Sequence, residues 1–244
     1  MIALLEVLPV WYQYSFVALL GLIIGSFLNV VIYRYHTGKS LSGHSHCLSC
    51  GQTLRWYELF PLVSYVCLFG RCGLCGCTIP LRYFLVELST SLLFVSVFSQ
   101  MSLGILFLFS LILVSLLIVV AVYDIYHMVI PNELVITASV LSVVYFVLAY
   151  GFTLDIDILI SHAGAALGAF FFYGGLWFVS KGKWIGFGDA KLALPLGFIL
   201  GIPSVFTFVV FSFWIGAIVS VGLIGIPAIV RAVKGYCSRY PVVN

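Results

Sequence analysis

Charge is what this chain lacks most. Eleven Lys and Arg and eight Asp and Glu make up 8% of its 244 residues, against 63% hydrophobic residues and a mean hydropathy of +1.22. Soluble domains run nearer roughly 45–50% apolar and about 25% charged, so a water-soluble core cannot absorb this composition. There is no basic, aromatic-interleaved surface of the kind that tracks a phosphate backbone, and nucleic acid is not an expected partner. There is no glycine-rich dinucleotide fingerprint after a strand. The first apolar run has no basic segment before it, only Glu6, and leads straight into a polar stretch, which argues against a cleavable signal peptide.

What the chain has instead is long apolar runs, and runs of about 20 residues cross a bilayer as helices. Seven are read, near 10–32, 84–99, 104–123, 134–150, 158–179, 191–202 and 204–230. The expectation is an all-α polytopic membrane protein with about seven transmembrane helices and a small cytosolic domain between the first two. The segments are 1–32 (first helix), 33–83 (cytosolic, Cys-rich) and 84–244 (transmembrane domain). The shortest run, 191–202, is expected to kink or tilt at Pro195 and to turn back at Gly201-Ile202-Pro203-Ser204.

Alternating these runs places 33–83, 124–133, 180–190 and 231–244 on one side. All eleven cations fall there or at its border: Arg34, Lys39, Arg55, Arg71, Arg82, Lys181, Lys183, Lys191, Arg231, Lys234 and Arg239. The other side carries only Glu6, Asp155 and Asp157. Basic loops stay inside, so the polar segment is expected in the cytosol and the N-terminus outside.

The polar segment holds Cys47-Leu48-Ser49-Cys50 and Cys72-Gly73-Leu74-Cys75, two C-x2-C knuckles 21 residues apart. Four thiolates so arranged suit tetrahedral Zn²⁺, and Gly51 and Gly76 follow the knuckles where a tight turn needs them. A cytosolic setting disfavours disulfides. Cys77 is close enough to compete with Cys75. Cys67 and Cys237 read as buried small hydrophobes, and His44 and His46 as bystanders to a shell already filled.

Two carboxylates stand out against the greasy background, Asp124 after Ala121-Val122-Tyr123 and Asp189 after Gly186-Phe187-Gly188. An ionisable group in a span costs roughly 2.5–3.5 kcal/mol at the helix centre, so two of them suggest paired acid–base work. Taken singly, Asp124 could merely end a span and Asp189 could merely cap a helix beginning at Lys191. Gly186 and Gly188 would allow positive φ or a close backbone approach before Asp189, and Pro131 would start the next helix. Lys191 falls on another helix face from Asp189. His127 reads as an interfacial histidine and His162 as a helix–helix hydrogen-bonding group. Gly164, Gly168, Gly174 and Gly175 read as close-packing positions.

Several motifs stand together in order. They are Gly21-Leu22-Ile23-Ile24-Gly25-Ser26-Phe27-Leu28-Asn29-Val30-Val31-Ile32-Tyr33-Arg34, the paired knuckles, Trp56-Tyr57-Glu58-Leu59-Phe60-Pro61 and Leu81-Arg82-Tyr83-Phe84-Leu85-Val86-Glu87. Asp124 with Ile130-Pro131 and Gly188-Asp189-Ala190-Lys191-Leu192 complete the set. With them the chain resembles the bacterial type IV prepilin peptidases, and the Tyr-Asp and Gly-x-Gly-Asp pairing is also similar to presenilin-type proteases. The resemblance implies that Asp124 and Asp189 are the catalytic pair of an intramembrane aspartic protease. It implies prepilin or pseudopilin substrates, a multi-pass protein of the bacterial inner membrane, and a second activity, S-adenosylmethionine-dependent methylation of the new N-terminus. For the methyl donor, Glu58 and the Asn29–Arg34 border are candidates. Family members carry an Ile-Pro-Phe-Gly-Pro-type motif leading into an eighth helix. This sequence stops at Ser238-Arg239-Tyr240-Pro241-Val242-Val243-Asn244 without one, so a shortened member or an incomplete sequence is expected. Two other readings stay open: a transporter using carboxylates as a proton relay, and a non-catalytic metal-binding assembly protein. The first would spread carboxylates across the membrane depth, and the second would not need both aspartates.

Overall fold

A computed structural model describes residues 9–35, 37, 40, 43, 45–47, 49–101, 103–151 and 155–225. Lys39, His44, Arg231, Lys234, Cys237 and Arg239 lie outside the described residues, as does everything beyond 225. The helices are α1 (Val10–Arg34), the short α2 (Val63–Cys67), α3 (Arg82–Gln100), α4 (Ile105–His127), α5 (Asn132–Tyr150), α6 (Ile156–Ser180) and α7 (Phe187–Gly225). Among the described residues there is no strand, only two isolated bridges, His46 with Thr53 and Arg71 with Thr78. Among the described residues, six helices are long and apolar enough to cross a membrane. Their outward faces carry bare Trp11, Phe171, Phe178, Phe206 and Trp214, each well over half exposed. In water this would be a severe aggregation liability; against lipid tails it costs nothing.

The helices fall into two compact units, one built on residues 9–103 and one on 104–222. In the first, α1 and α3 run antiparallel in close contact. A Cβ at Gly21 would lie 2.6 Å from Ser91 Cα, and one at Gly25 would lie 2.8 Å from Glu87 Cα. These two glycines, four apart on one helix face, let the backbones touch, and membrane helices associate through such small-residue stripes. Ser91 Oγ donates to the Ala18 carbonyl (3.0 Å) and Asn29 Nδ2 to the Tyr83 carbonyl (3.1 Å), fixing the register at both ends. The close-packing role expected of Gly168 and Gly175 is absent, because a Cβ on either meets nothing within 4 Å, and Gly164 and Gly174 have only ordinary clearance. Lipid-facing glycines and packed ones look alike in a sequence of this composition.

In the second unit, α7 is a hairpin of two helices. Gly201 has φ 69° and ψ 171°, a non-helical break. Ala190 and Ser212 would be about 33 Å apart along a straight helix, yet both reach Tyr173: Ala190 shares its buried cluster and Ser212 its hydroxyl hydrogen bond. The segments are α7a (187–200) and α7b (202–225), so the seventh expected run is real although shorter than a full span. The sharp break lies at Gly201, not at Pro195. That ring is buried and the backbone stays helical there; a residue free to take φ > 0 bends the chain instead.

Among the backbone groups the break frees are the Phe198 carbonyl and the Ile202 N–H, which an unbroken helix would join. Adjacent residues of α6 take them up. His162 Nδ1 donates to the Phe198 carbonyl at 2.6 Å, and Ser161 Oγ accepts from Ile202 N at 3.4 Å. In lipid every freed backbone group needs such a partner. His162 is therefore the helix–helix bonding residue that its position in a span suggests. Gly197 completes the packing: a Cβ there would lie 2.7 Å from the Ala165 carbonyl oxygen.

Candidate active site and metal centre

Asp124 sits inside the last turn of α4, not after it, since the helix runs on to His127. Met128 then takes the left-handed conformation (φ 54°) and its N–H donates to the Asp124 carbonyl at 2.7 Å, capping the helix. His127 lies on the surface, stacked on Tyr123 at 4.1 Å. The chain passes through Val129, Ile130 and Pro131 into α5, with Pro131 at the N-cap.

Asp189 sits in the first turn of α7a, which begins at Phe187 rather than at Lys191. Its Oδ2 accepts from the Gly186 N–H at 3.1 Å, half of a capping box, in which a carboxylate one turn in reaches back to the helix start. Neither Gly186 nor Gly188 has positive φ, so the expected conformational role is not theirs. Gly188 is needed for space. A Cβ there would lie 3.0 Å from Ile130 Cβ, and at Gly186 a Cβ would meet the Asp189 carboxylate at 3.5 Å.

Two contacts clamp the α4–α5 loop to the start of α7a. Ile130 seats on Gly188, and Lys191 Nζ donates to Asn132 Oδ1 at 2.9 Å. Lys191 also lies 5.1 Å from the Phe187 ring centroid, so its task is to hold two helix starts together. The clamp brings Asp124 and Asp189 within electrostatic range of each other. Both are half-buried. A groove leads from Asp189 past Leu192, Leu196, Phe208, Ser212 and Phe213.

In the first unit the knuckles are near copies of each other. Cys47 N–H donates to Gln52 O and Cys72 N–H to Cys77 O, both at 2.8 Å; Gly51 N–H donates to Cys47 O and Gly76 N–H to Cys72 O, both at 2.9 Å. Gly51 (φ 71°) and Gly76 (φ 67°) supply the left-handed turn in each. The four sulfurs of Cys47, Cys50, Cys72 and Cys75 lie within 4.8 Å of one another. The Cys47–Cys75 pair is at 3.8 Å, and a tetrahedron with metal–sulfur bonds of about 2.3 Å has sulfur–sulfur edges of about 3.8 Å. Burial pushes the Cys47 thiol up. Burial acts the same way on Cys72, but the N–H groups of Cys75 and Leu74 aimed at its sulfur outweigh it and bring that thiol below its ordinary value. The cluster can hold a metal ion. Cys77 is no competitor, for it matches Gln52 in the repeat and is buried away from the other sulfurs. Cys67 is exposed, contrary to expectation, because α2 is a five-residue surface helix with no buried face.

Comparison with known proteins decides the family. Residues 19–101 match the Bacterial Peptidase A24 N-terminal domain and residues 111–221 the Type IV leader peptidase family. The Prepilin leader peptidase/N-methyltransferase of Klebsiella pneumoniae is 34% identical over 217 residues, which cover 82% of this chain and 92% of the relative. The chain belongs to the type IV leader peptidase family. The protein of the same description from Bacillus subtilis (strain 168) is 31% identical over 205 residues, covering 84% of this chain and 80% of that one. The one from Myxococcus xanthus (strain DK1622) is 36% identical over 212 residues, covering 84% of this chain but 62% of that longer protein. No solved structure matches. The leader-peptidase match contains both aspartates and the whole Ile130–Gly188 clamp, and the N-terminal match contains all four clustered cysteines. Sequence reasoning named Asn29 only as part of a border segment and gave Glu87 no role; both are buried polar residues at the same end of the antiparallel α1–α3 pair. The available signal was a carboxylate and an amide standing inside apolar runs.

Proposed function

We propose that this protein is an intramembrane aspartic endopeptidase that removes the basic leader from type IV prepilins or pseudopilins and then N-methylates the new N-terminus. The observation that carries the peptidase reading is the placing of Asp124 and Asp189 in electrostatic range at the ends of two apolar helices. A pair of carboxyls can divide the work of general base and general acid. One then takes a proton from water while the other donates to the scissile carbonyl oxygen, so the bond is cut with no covalent intermediate. In this reading the clamp of Ile130 on Gly188 sets the relative position of the two helix ends that carry the aspartates, and the groove beside Asp189 offers apolar walls to the helix that follows the leader.

The basic loops support a topology in which both aspartates lie near the cytosolic interface of a bacterial inner membrane, with the N-terminus outside. A prepilin offers its cationic leader and apolar helix at that same depth. The four clustered thiolates would hold structural Zn²⁺, whose binding free energy contributes directly to folding of this segment. A carboxylate proton relay is disfavoured, because the two aspartates meet at one level instead of spanning the membrane depth. The test is cleavage of a purified prepilin by wild type, Asp124→Asn and Asp189→Asn, with and without S-adenosylmethionine. Cleavage by either variant at near wild-type rate would overturn the dyad.

A further inference from the structure

The stretch that joins the two knuckles, residues 56–69, exposes the wrong kind of side chain for a water-facing loop. Trp56, Phe60, Val63, Val66 and Phe69 are each more than half exposed, Phe69 at 89%. The other exposed positions there are Tyr57, Leu59 and Cys67. The only charged residue of the stretch, Glu58, turns its carboxylate back onto the Arg55 N–H at 2.8 Å. Phe69 also holds a left-handed backbone (φ 51°), uncommon for so bulky a side chain, and its ring projects from the surface instead of packing under it. Soluble surfaces seldom leave a run of large apolar groups uncovered.

Two contacts set the height of this stretch. The Leu62 N–H donates to Glu87 Oε2 at 2.8 Å, and the Tyr65 ring packs on Phe84 with centroids 5.4 Å apart. Glu87 lies five residues beyond Arg82, the cation that opens α3, which is roughly 7–8 Å along the helix axis. The stretch is thus drawn down beside the first turns of a spanning helix, not held out from its end. At the same level α3 exposes Leu85, so the apolar surface of the stretch and that of the span begin at one depth. Exposed Arg55 and Arg71 flank the stretch on either side. Apolar groups sunk about 5–10 Å below a rim of cations are the pattern of an interfacial segment, and Trp and Tyr rings favour that layer. A soluble protein partner would have to reach the same groups past the headgroups.

We propose that residues 56–69 are a membrane-interface anchor, with Trp56, Phe60, Val63, Val66 and Phe69 seated among the lipid headgroups and upper acyl chains. It needs only that α1 and α3 cross a bilayer, and holds whether or not the dyad cleaves prepilin. Arg55 and Arg71 meet the phosphates of anionic lipid. Because Cys72 follows Arg71 directly, the anchor also fixes the second knuckle at the bilayer surface. The Cys-rich segment then has one wet face and one lipid face.

The test uses full-length protein reconstituted in vesicles of phosphatidylethanolamine and phosphatidylglycerol. A variant carrying Trp11→Phe, Trp177→Phe, Trp184→Phe and Trp214→Phe keeps Trp56 as its one tryptophan. Phospholipid brominated near the carbonyl end of its acyl chains should quench Trp56 strongly, and phospholipid brominated near the methyl end should quench it weakly. Aqueous iodide should quench it little. Strong iodide quenching without quenching by either bromolipid means that the patch faces water, as a docking surface for a soluble protein would, and overturns the anchor. Stronger quenching by the methyl-end bromines overturns the interfacial depth. The wild-type chain gives a second measurement that needs no substitution. Phospholipid with a photoreactive diazirine on the upper acyl chain should label residues 56–69 and leave exposed Gln52 and Thr53 unlabelled. Labelling of α1 and α3 with none in 56–69 overturns the proposal even if the tryptophan variant fails to fold.

Discussion

Replacing Gly188 by Ala tests the clamp that aligns the two aspartates. The added Cβ would lie 3.0 Å from Ile130 Cβ and 3.2 Å from both its Cγ1 and Cδ1. Carbon pairs rest at about 3.5–4.0 Å, so three contacts are short at once, the worst by at least about half an ångström. Overpacking of this kind costs about 1–3 kcal/mol, and it is relieved only if the 128–131 loop or the start of α7a backs away. Either movement shifts one aspartate against the other, because Met128 is bonded to the Asp124 carbonyl and Asp189 follows Gly188 directly. A misplacement of about 1 Å can cost roughly 100-fold in rate, so half of that predicts a fall of about tenfold. Ile130→Ala removes Cγ1 and Cδ1, two of the three contacts, and the double variant should recover most of the lost rate. Cleavage of prepilin in detergent, followed by the size shift of the product, gives the rates; circular dichroism confirms that helicity is kept. If Gly188→Ala cleaves at the wild-type rate, or if Ile130→Ala leaves its defect unchanged, the contact does not set the catalytic geometry.

Asp124→Asn and Asp189→Asn should each lower cleavage by at least about 10³-fold, as loss of a member of a catalytic unit does. The amide introduced by Asp189→Asn still offers an oxygen to the Gly186 N–H, so the fold should survive in a melting assay. Cys47→Ser or Cys72→Ser should reduce bound zinc from about one per chain, measured by elemental analysis, and lower the melting temperature; Cys67→Ser and Cys77→Ser should retain the metal, and equal loss in either would show that the ligand set is wrong. Gly21→Ala should destabilise the α1–α3 pair and Gly168→Ala should not, since one Cβ would lie 2.6 Å from backbone and the other meets nothing within 4 Å; equal melting temperatures would refute the assignment. Native Cys67 should resist membrane-impermeant thiol reagents in intact cells, whereas Asp157→Cys in a Cys67→Ala background should react; the reverse pattern inverts the topology.

The membrane spans and both site clusters were legible in the sequence because each departs from its surroundings: charges in an apolar chain, and cysteines at ligand spacing. The turn at Gly201 was legible too, from a glycine and a proline two residues apart. Packing was not. Gly21 and Gly25 differ from Gly164 and Gly168 only in what faces them, and spacing is the same in both pairs. The length of α4 beyond Asp124 was hidden because Ile125, Tyr126 and His127 continue a helix as readily as they end one. The clamp was hidden for a different reason. Ile130 and Gly188 are 58 positions apart, and Asn132 and Lys191 are 59 apart; each looks ordinary until the chain is folded.

The break at Gly201 also bears on the bilayer itself. Residues 187–200 can cover roughly 21 Å, whereas a hydrocarbon core is about 30 Å deep. On the proposed topology the Asp189 end lies at the aqueous surface with Lys181, Lys183 and Lys191, and the whole shortfall falls on the far leaflet, where Ile202 is more than half exposed. Lipids against that wall must thin or tilt, at a fraction of a kcal/mol per ångström of mismatch. Acyl-chain length thereby becomes a variable of this protein's stability, and reconstitution into shorter-chain lipids should raise its melting temperature.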